Sequence, residues 1–275
     1  MIHPNFKEYL PSYYFSTINP HAAYPKLEGR LKTETCVIGG GLTGLCTALP
    51  LAENGREVIV LEAARVGFGA SGRSGGQVIS DYACGMEEIE KQVGLEQARW
   101  FWQQSLQAVE LVDERVKKHQ IACDWQRGYA TVAIRPQHWE ELQQWHEHAR
   151  QHYGATHYQL WDKATLKQQL ASDMYLGAQF DPHSGHLHPL NYTLGVARAA
   201  AEAGAQIFEQ SPMTRIEPYQ GGWLVHTPDG SIECQNLVYA VNTYAGLHQK
   251  FKPLEKKAIA VSTSLTPEAR TLVQQ

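Results

Sequence analysis

The chain has 275 residues, 43% hydrophobic and 19% charged, an ordinary globular composition long enough for one large or two ordinary domains with a buried core. A formal net charge of −4 argues against nucleic acid or an anionic membrane as partner, and no apolar run approaches the roughly 20 residues of a membrane span. The first residues lack the basic start and apolar core of a signal peptide, and Cys36, Cys46, Cys84, Cys123 and Cys234 form neither a C-x-x-C pair nor a disulfide ladder, so a soluble cytoplasmic protein with reduced thiols is expected.

Residues 1 to 30, rich in Pro, Tyr and Asn, read as an extended arm. A short apolar strand is predicted over 33–38, a helix over 42–54 ended by Gly55, and a second strand over 57–62. Strand, tight glycine turn, helix and strand make a βαβ unit, whose strands should be parallel. Pro50 falls inside that helix, where it should remove a hydrogen bond and bend the axis. Next comes RVGFGASGRSGGQV, from Arg65 to Val78, with five glycines; such a run marks backbone that something must approach closely.

Two helical stretches follow, 87–93 and 95–120, the second with Phe101, Ala108, Val109, Val112 and Val116 roughly on one face. A strand over 129–134 and a polar amphipathic helix over 136–153 come next. DPHSGHLHPLN then leads into an alanine-rich helix over 190–203. Short strands are predicted at QIFE, MTRIE, WLVHT and SIECQ, with turns at Gly221-Gly222 and Asp229-Gly230, and LVYAV (237–241) is a buried-strand candidate.

The first βαβ unit contains Gly39-x-Gly41-x-x-Gly44 between its strand and its helix, and Glu62 ends the second strand, at the roughly 20-residue spacing of a dinucleotide fingerprint. Gly39 permits the tight turn, Gly41 lets a pyrophosphate reach the backbone, and Gly44 lets helix and strand pack closely. The helix N-terminus offers N–H groups and partial positive charge to phosphates. Glu62 can accept hydrogen bonds from the adenosine ribose hydroxyls. The competing reading is a glycine-rich turn without ligand, which would make the acidic strand end a coincidence. The motif alone does not separate NAD from FAD.

The segments 61–77 (LEAARVGFGASGRSGGQ), 181–191 (DPHSGHLHPLN) and 238–244 (VYAVNTY) resemble the D-amino-acid-oxidase-like FAD-dependent oxidoreductases, and among them the bacterial gamma-glutamylputrescine oxidases. The resemblance runs from about residue 24 onward; 67–77 is its most specific part, and Ser74 stands where the family usually has Asn. It implies an α/β fold: a Rossmann-like FAD-binding domain with a parallel sheet (31–85 and 185–246) after the arm, plus a mixed-sheet substrate domain (86–184 and 247–275). It also implies FAD as cofactor. Beside Gly39, Gly41 and Gly44, the residues Leu42 and Thr43 of the turn, Glu62 with Ala63, and Ala70, Ser71, Gly72, Arg73, Gly75, Gly76 and Gln77 of the loop should line it. Ser71 would bond a phosphate, and Arg73 would neutralise one or polarise the flavin's pyrimidine edge. The Met213 backbone should lie by the adenine and Ala240 over the dinucleotide.

Asp181, His183, His186 and His188 lie close enough in sequence to suggest zinc, but their spacing matches no closed structural site, and no metal is expected. His148 and His152 share a helix face without an H-E-x-x-H pattern, which reads as a solvated histidine-rich face. No Ser or Cys sits in a nucleophile-elbow context. By resemblance the activity is flavin-dependent oxidation of a small-molecule amine such as gamma-glutamylputrescine, as in putrescine catabolism, with O2 as acceptor giving H2O2. No acid–base pair stands out, and no catalytic residue is assigned. A dehydrogenase passing electrons elsewhere remains a rival. So does a silent FAD-binding remnant, because the family runs past 275 residues and its later part carries a second glycine-rich turn over the flavin. On that resemblance the substrate domain is expected to be incomplete at the C-terminus.

Overall fold

The computed structural model describes residues 8, 9 and 11–242; the expected substrate-domain segment 247–275 lies outside them. In chain order the elements are α1 (Tyr13–Ser16), β1 (Gly29–Ile38), α2 (Leu42–Glu53), β2 (Val58–Leu61), β3 (Gln77–Val78), α3 (Met86–Lys118), β4 (Gln126–Ala133) and α4 (Pro136–Tyr153). There follow β5 (Gln159–Asp162), α5 (Lys163–Gln169), β6 (Gly177–His186), α6 (Pro189–Glu202), β7 (Gln206–Phe208), β8 (Arg215–Tyr219), β9 (Gly222–His226) and β10 (Gly230–Tyr239). The described residues form two compact units, one within Met1–Ser74 and Pro189–Gln275 and one from Gly75–His188.

The first unit carries a six-stranded sheet in the order β7-β2-β1-β10-β9-β8. Its β7, β2, β1 and β10 pair in parallel, and β9 and β8 extend it antiparallel. VIVL of β2 is buried at every position, as expected of a parallel strand covered on both faces. One face packs Leu27, Cys36, Ile38, Ile59, Leu61, Met213, Val225, Ile232 and Cys234 into a core. Helices α2 and α6 pack against each other, and α2 runs on through Pro50. Two expected strands, SIECQ and LVYAV, are one: β10 pairs with β1 from Gly29↔Gly230 to Ile38↔Tyr239. The same ladder starts β1 at Gly29, four residues before the expected strand, where polar side chains hide it.

In the second unit β6 pairs antiparallel with β4 along its length and with β3 and β5 at separate stretches. Residues 75–85, expected with the nucleotide-binding part, belong here because β3 pairs with β6. Helix α3 breaks at Gly94, whose φ of 79° is outside the helical range. Its buried face is Ala98, Trp102, Ser105, Val109 and Asp113, which shares only Val109 with the one expected: Ala108 is exposed, and Phe101, Val112 and Val116 are half-buried. The face hid because it includes a polar residue and an acid. Asp113 accepts from Lys117 Nζ (2.6 Å) and Trp125 Nε1 (2.8 Å) and lies 3.0 Å from Arg127. Burial raises its pKa, but bonds from Lys117, Trp125 and Arg127 outweigh that and hold it at about 2.

Candidate cofactor site in the first unit

β1 delivers the chain into the turn at Gly39, which takes a φ of 112°, a conformation that side chains resist. A Cβ there would also strike the Ala240 carbonyl, and one at Gly44 would strike the Gly39 carbonyl. Glycine is therefore required twice over by close backbone approach. Gly39 N–H donates to Leu61 O (2.7 Å) and Ala240 N–H to Ile38 O (2.8 Å). These bonds bring the ends of β1, β2 and β10 together beside the N-terminus of α2. The first-turn N–H groups of a helix have no intrahelical acceptor. Ser71 Oγ takes that of Leu42 at 2.9 Å, and Thr43 is exposed in the same turn.

Glu62 is buried at the end of β2. Its carboxylate accepts from Gly40 N–H (2.7 Å) and Ala64 N–H (2.8 Å). Burial pushes its pKa up, against those backbone bonds. Each oxygen keeps a second lone pair, so the group can still accept from a ribose hydroxyl. Ala63 is half-buried beside it, and Ser211 N–H donates to Glu62 O at 2.9 Å, bringing the segment that contains buried Met213 to the same strand end.

The loop after β2 closes on the turn. Gly67 N–H donates to Gly40 O at 3.0 Å, and Ala70, Ser71 and Gly72 form a short 3-10 turn. Arg73 is exposed, with Nε 3.3 Å from Gly69 O and its guanidinium 5.6 Å from the Phe68 ring. It has no carboxylate partner among the described residues, so its charge is available to an anion. Thus Gly39, Gly41, Leu42, Thr43, Gly44, Glu62, Ala63, Ala70, Ser71, Gly72, Arg73, Met213 and Ala240 all lie in this unit. Gly75, Gly76 and Gln77 lie in the second, where Gly76 O accepts from Leu187 N–H (2.9 Å) and Gln77 pairs with His186. The residues present fit a dinucleotide: a helix N-terminus, an unpaired cation and a buried acceptor without a cationic partner of its own. A cleft lined by Lys32, Glu34, Arg56 and Glu57 lies at the opposite, amino ends of β1 and β2.

Sequence reasoning missed Glu209, a buried carboxylate beyond β7 that accepts from Val66 N–H (2.7 Å) and Arg65 (2.9 Å). No local motif marks it, since its partners are 143 and 144 positions away. The other candidates disperse. Asp181 accepts from Ser184 Oγ, from Ser80 Oγ (3.2 Å) and from His183 N–H (2.8 Å). His183 and His186 are exposed while His188 is buried. No group of His, Cys, Asp and Glu among the described residues is arranged for a metal ion. The expected solvated histidine face of α4 is instead half-buried at His148, whose Nε2 lies 2.9 Å from Glu90 of α3. No described helix is long and apolar enough to cross a membrane.

Residues 34–273 match the family model described as FAD dependent oxidoreductase. The chain is 43% identical over 269 residues to the probable oxidoreductase OrdL of Haemophilus influenzae, covering 94% of this chain and 62% of that protein. It is 36% identical over 264 residues to the gamma-glutamylputrescine oxidoreductase of Escherichia coli, covering 96% and 61%. The chain thus spans about three fifths of the length of these two relatives. Among solved structures, L-amino acid deaminase from Proteus vulgaris with its specific insertion sequence deleted superposes with a TM-score of 0.67, at 21% identity, over 90% of this chain and 61% of that one. The family match covers most of the sequence: the chain belongs to the FAD-dependent oxidoreductase family, whose cofactor is FAD.

Proposed function

We propose that this chain carries the FAD-binding machinery of an enzyme that oxidises a small-molecule amine, gamma-glutamylputrescine or a similar acylated polyamine, with O2 as electron acceptor. The observation that carries the reading is the joining of the Gly39–Gly44 turn, buried Glu62 and Ser71 of the loop at one end of the parallel sheet. The name of the Escherichia coli relative supports the amine. FAD would supply the redox chemistry, taking hydride from the substrate carbon and passing electrons on.

The protein's part is binding and orientation. The α2 N-terminus and Ser71 would hold the pyrophosphate, with Gly41 leaving it room and Leu42 and Thr43 in the same turn. Glu62, with Ala63, would hold the ribose, the Met213 backbone would lie by the adenine, and Ala240 would cover the dinucleotide. Ala70, Gly72 and Arg73, with Gly75, Gly76 and Gln77, would follow the remainder of the cofactor. The second unit would supply the substrate side.

Calorimetry of the chain with FAD and with NADH tests the cofactor site: FAD should bind, and Gly41→Val should abolish binding by blocking pyrophosphate approach. Binding of NADH without FAD would overturn it. Peroxide release from gamma-glutamylputrescine, putrescine, glycine and sarcosine tests the substrate, and a strong preference for glycine or sarcosine would refute the amine.

A further inference from the structure

The arm before β1 is fastened to the cofactor loop around one buried carboxylate. Glu209 is 2% exposed and joins three segments. Its Oε1 accepts from Val66 N–H (2.7 Å), at the start of the 66–73 loop. Its Oε2 accepts from Arg65 (2.9 Å) and from Tyr24 N–H in the arm (3.0 Å). Arg65 in turn holds Glu8 in a two-point grip, at 2.7 and 3.1 Å. Tyr9 Oη donates to Val66 O at 2.7 Å, so Val66 is held through both its N–H and its carbonyl.

The arm is fixed further along too. Glu209 N–H donates to Pro25 O (3.0 Å), Leu27 N–H to Ser211 Oγ (2.8 Å) and Asn19 N–H to Asn191 Oδ1 (2.9 Å). Tyr9 and Phe15 pack ring to ring at 5.6 Å and line a small cavity with Phe68, Gly72 and Arg73. One side of the loop that carries Ser71 and Arg73 is therefore lined by the arm.

We propose that Glu209 is a positioning residue for the cofactor, and that Glu8, Tyr9, Phe15 and residues 19–28 form a strap through which it holds the 66–73 loop in its binding shape. This rests on the reading that the turn and this loop hold FAD. The strap bonds Arg65 and Val66 at the start of the loop, so it would act on affinity through the loop's shape. Linkage makes the coupling reciprocal: if strap docking tightens FAD binding, FAD must tighten strap docking by the same factor.

The test uses the 275-residue chain, FAD titration by flavin fluorescence, and amide hydrogen exchange at Val66 and Tyr24. Loss of one charge-assisted bond in Glu209→Gln should raise the FAD Kd about tenfold. Tyr9→Phe, which keeps the ring packing, should raise it about fivefold. Saturating FAD should slow wild-type exchange at both amides by about the factor lost in Glu209→Gln. Tyr13→Ala, on the exposed side of the same arm, should leave the Kd unchanged.

FAD binding that leaves exchange at Tyr24 untouched, with Tyr9→Phe binding as tightly as wild type, would overturn the strap while leaving the site reading intact. An equal loss in Tyr13→Ala would also overturn it, since the arm would then act through general stability. No FAD binding by the wild-type chain would overturn the site reading and the strap together. Should Glu209→Gln fail to fold, Tyr9→Phe and the wild-type exchange measurement still decide the question.

Discussion

The two units bury their polar side chains for different ends. In the first, buried and half-buried acceptors mainly bond the main chain. Glu62 takes the N–H groups of Gly40 and Ala64, Glu209 those of Val66 and Tyr24, Ser71 that of Leu42 and Ser211 that of Leu27. In the second, the carboxylates mainly join side chain to side chain: Asp113 with Lys117, Trp125 and Arg127, Asp181 with Ser80 and Ser184, and Glu90 with His148 and Tyr153. Bonds to main-chain N–H groups hold non-repetitive backbone in a fixed shape, which a loop wrapping a cofactor requires. Side-chain pairs instead pin one regular element to another, as Asp113 and Arg127 pin α3 to β4. The contrast teaches that polar burial shapes a site in one unit and secures packing in the other.

The largest expected effect tests the backbone side of this contrast. Gly44→Val places a side chain against the Gly39 carbonyl, which belongs to a turn with no room to retreat. Overpacking of this kind should destabilise the chain by about 3 kcal/mol in urea unfolding and abolish FAD binding. An unchanged unfolding midpoint would mean that β1 and α2 do not need this close approach.

In the second unit the matching variant is Asp113→Ala. It should lose about 2 kcal/mol, the worth of its charged hydrogen bonds, yet leave FAD affinity where it was. The sign with pH is set by a folded pKa of about 2 against an ordinary 3.8. The contribution is complete above 3.8 and is lost as pH falls toward 2. A wild-type chain that loses no more stability than the variant over that acid range would rule out the network. A smaller effect separates the roles of Glu62. In Glu62→Gln one backbone N–H meets an amide donor instead of an acceptor, so stability should fall by about 1 kcal/mol. FAD affinity should fall about tenfold; a full stability loss with unaltered affinity would make Glu62 purely structural.

The same contrast explains what could be read from the sequence. The Gly39–Gly44 turn was legible because backbone demands leave glycine as their trace, and β1, α2 and β2 fall within a few residues of where periodicity puts them. Helix α4 also lies at its expected bounds: Pro136 starts it, and Gly154, in left-handed conformation, ends it. Side-chain networks leave no such trace. Asp113 looks like a surface acid on a polar helix until Trp125 and Arg127 are brought to it from β4. Strand β6, GAQFDPHSGH, shows no period-two alternation because its buried positions include Gln179, Asp181 and Ser184. Glu209 escaped in the first unit for a related reason: its partners come from the arm and from Arg65 and Val66, far away in sequence.

The smallest expected effect concerns His157, where a side-chain network is incomplete. Its Nε2 is buried without a hydrogen-bond partner among the described residues, 3.7 Å from Asp181. Its ring lies face to face with His183 at 4.5 Å and against Trp102 and Tyr158. Burial lowers its pKa first; Asp181 pulls the other way, and His183 pushes it down further. The folded value therefore lies below the ordinary 6.5, and the unfolded chain binds the proton more readily. Stability is complete above 6.5 and is lost as pH falls from there toward the folded value. His157→Phe keeps the stack and removes the titration, so it should flatten the change in unfolding midpoint between about pH 7.5 and about pH 5.5. Because His157 is not among the residues assigned to the cofactor, the substitution should leave the FAD Kd the same at both pH values. A variant that retains the full wild-type slope would assign the proton to another histidine and leave His157 as a packing residue.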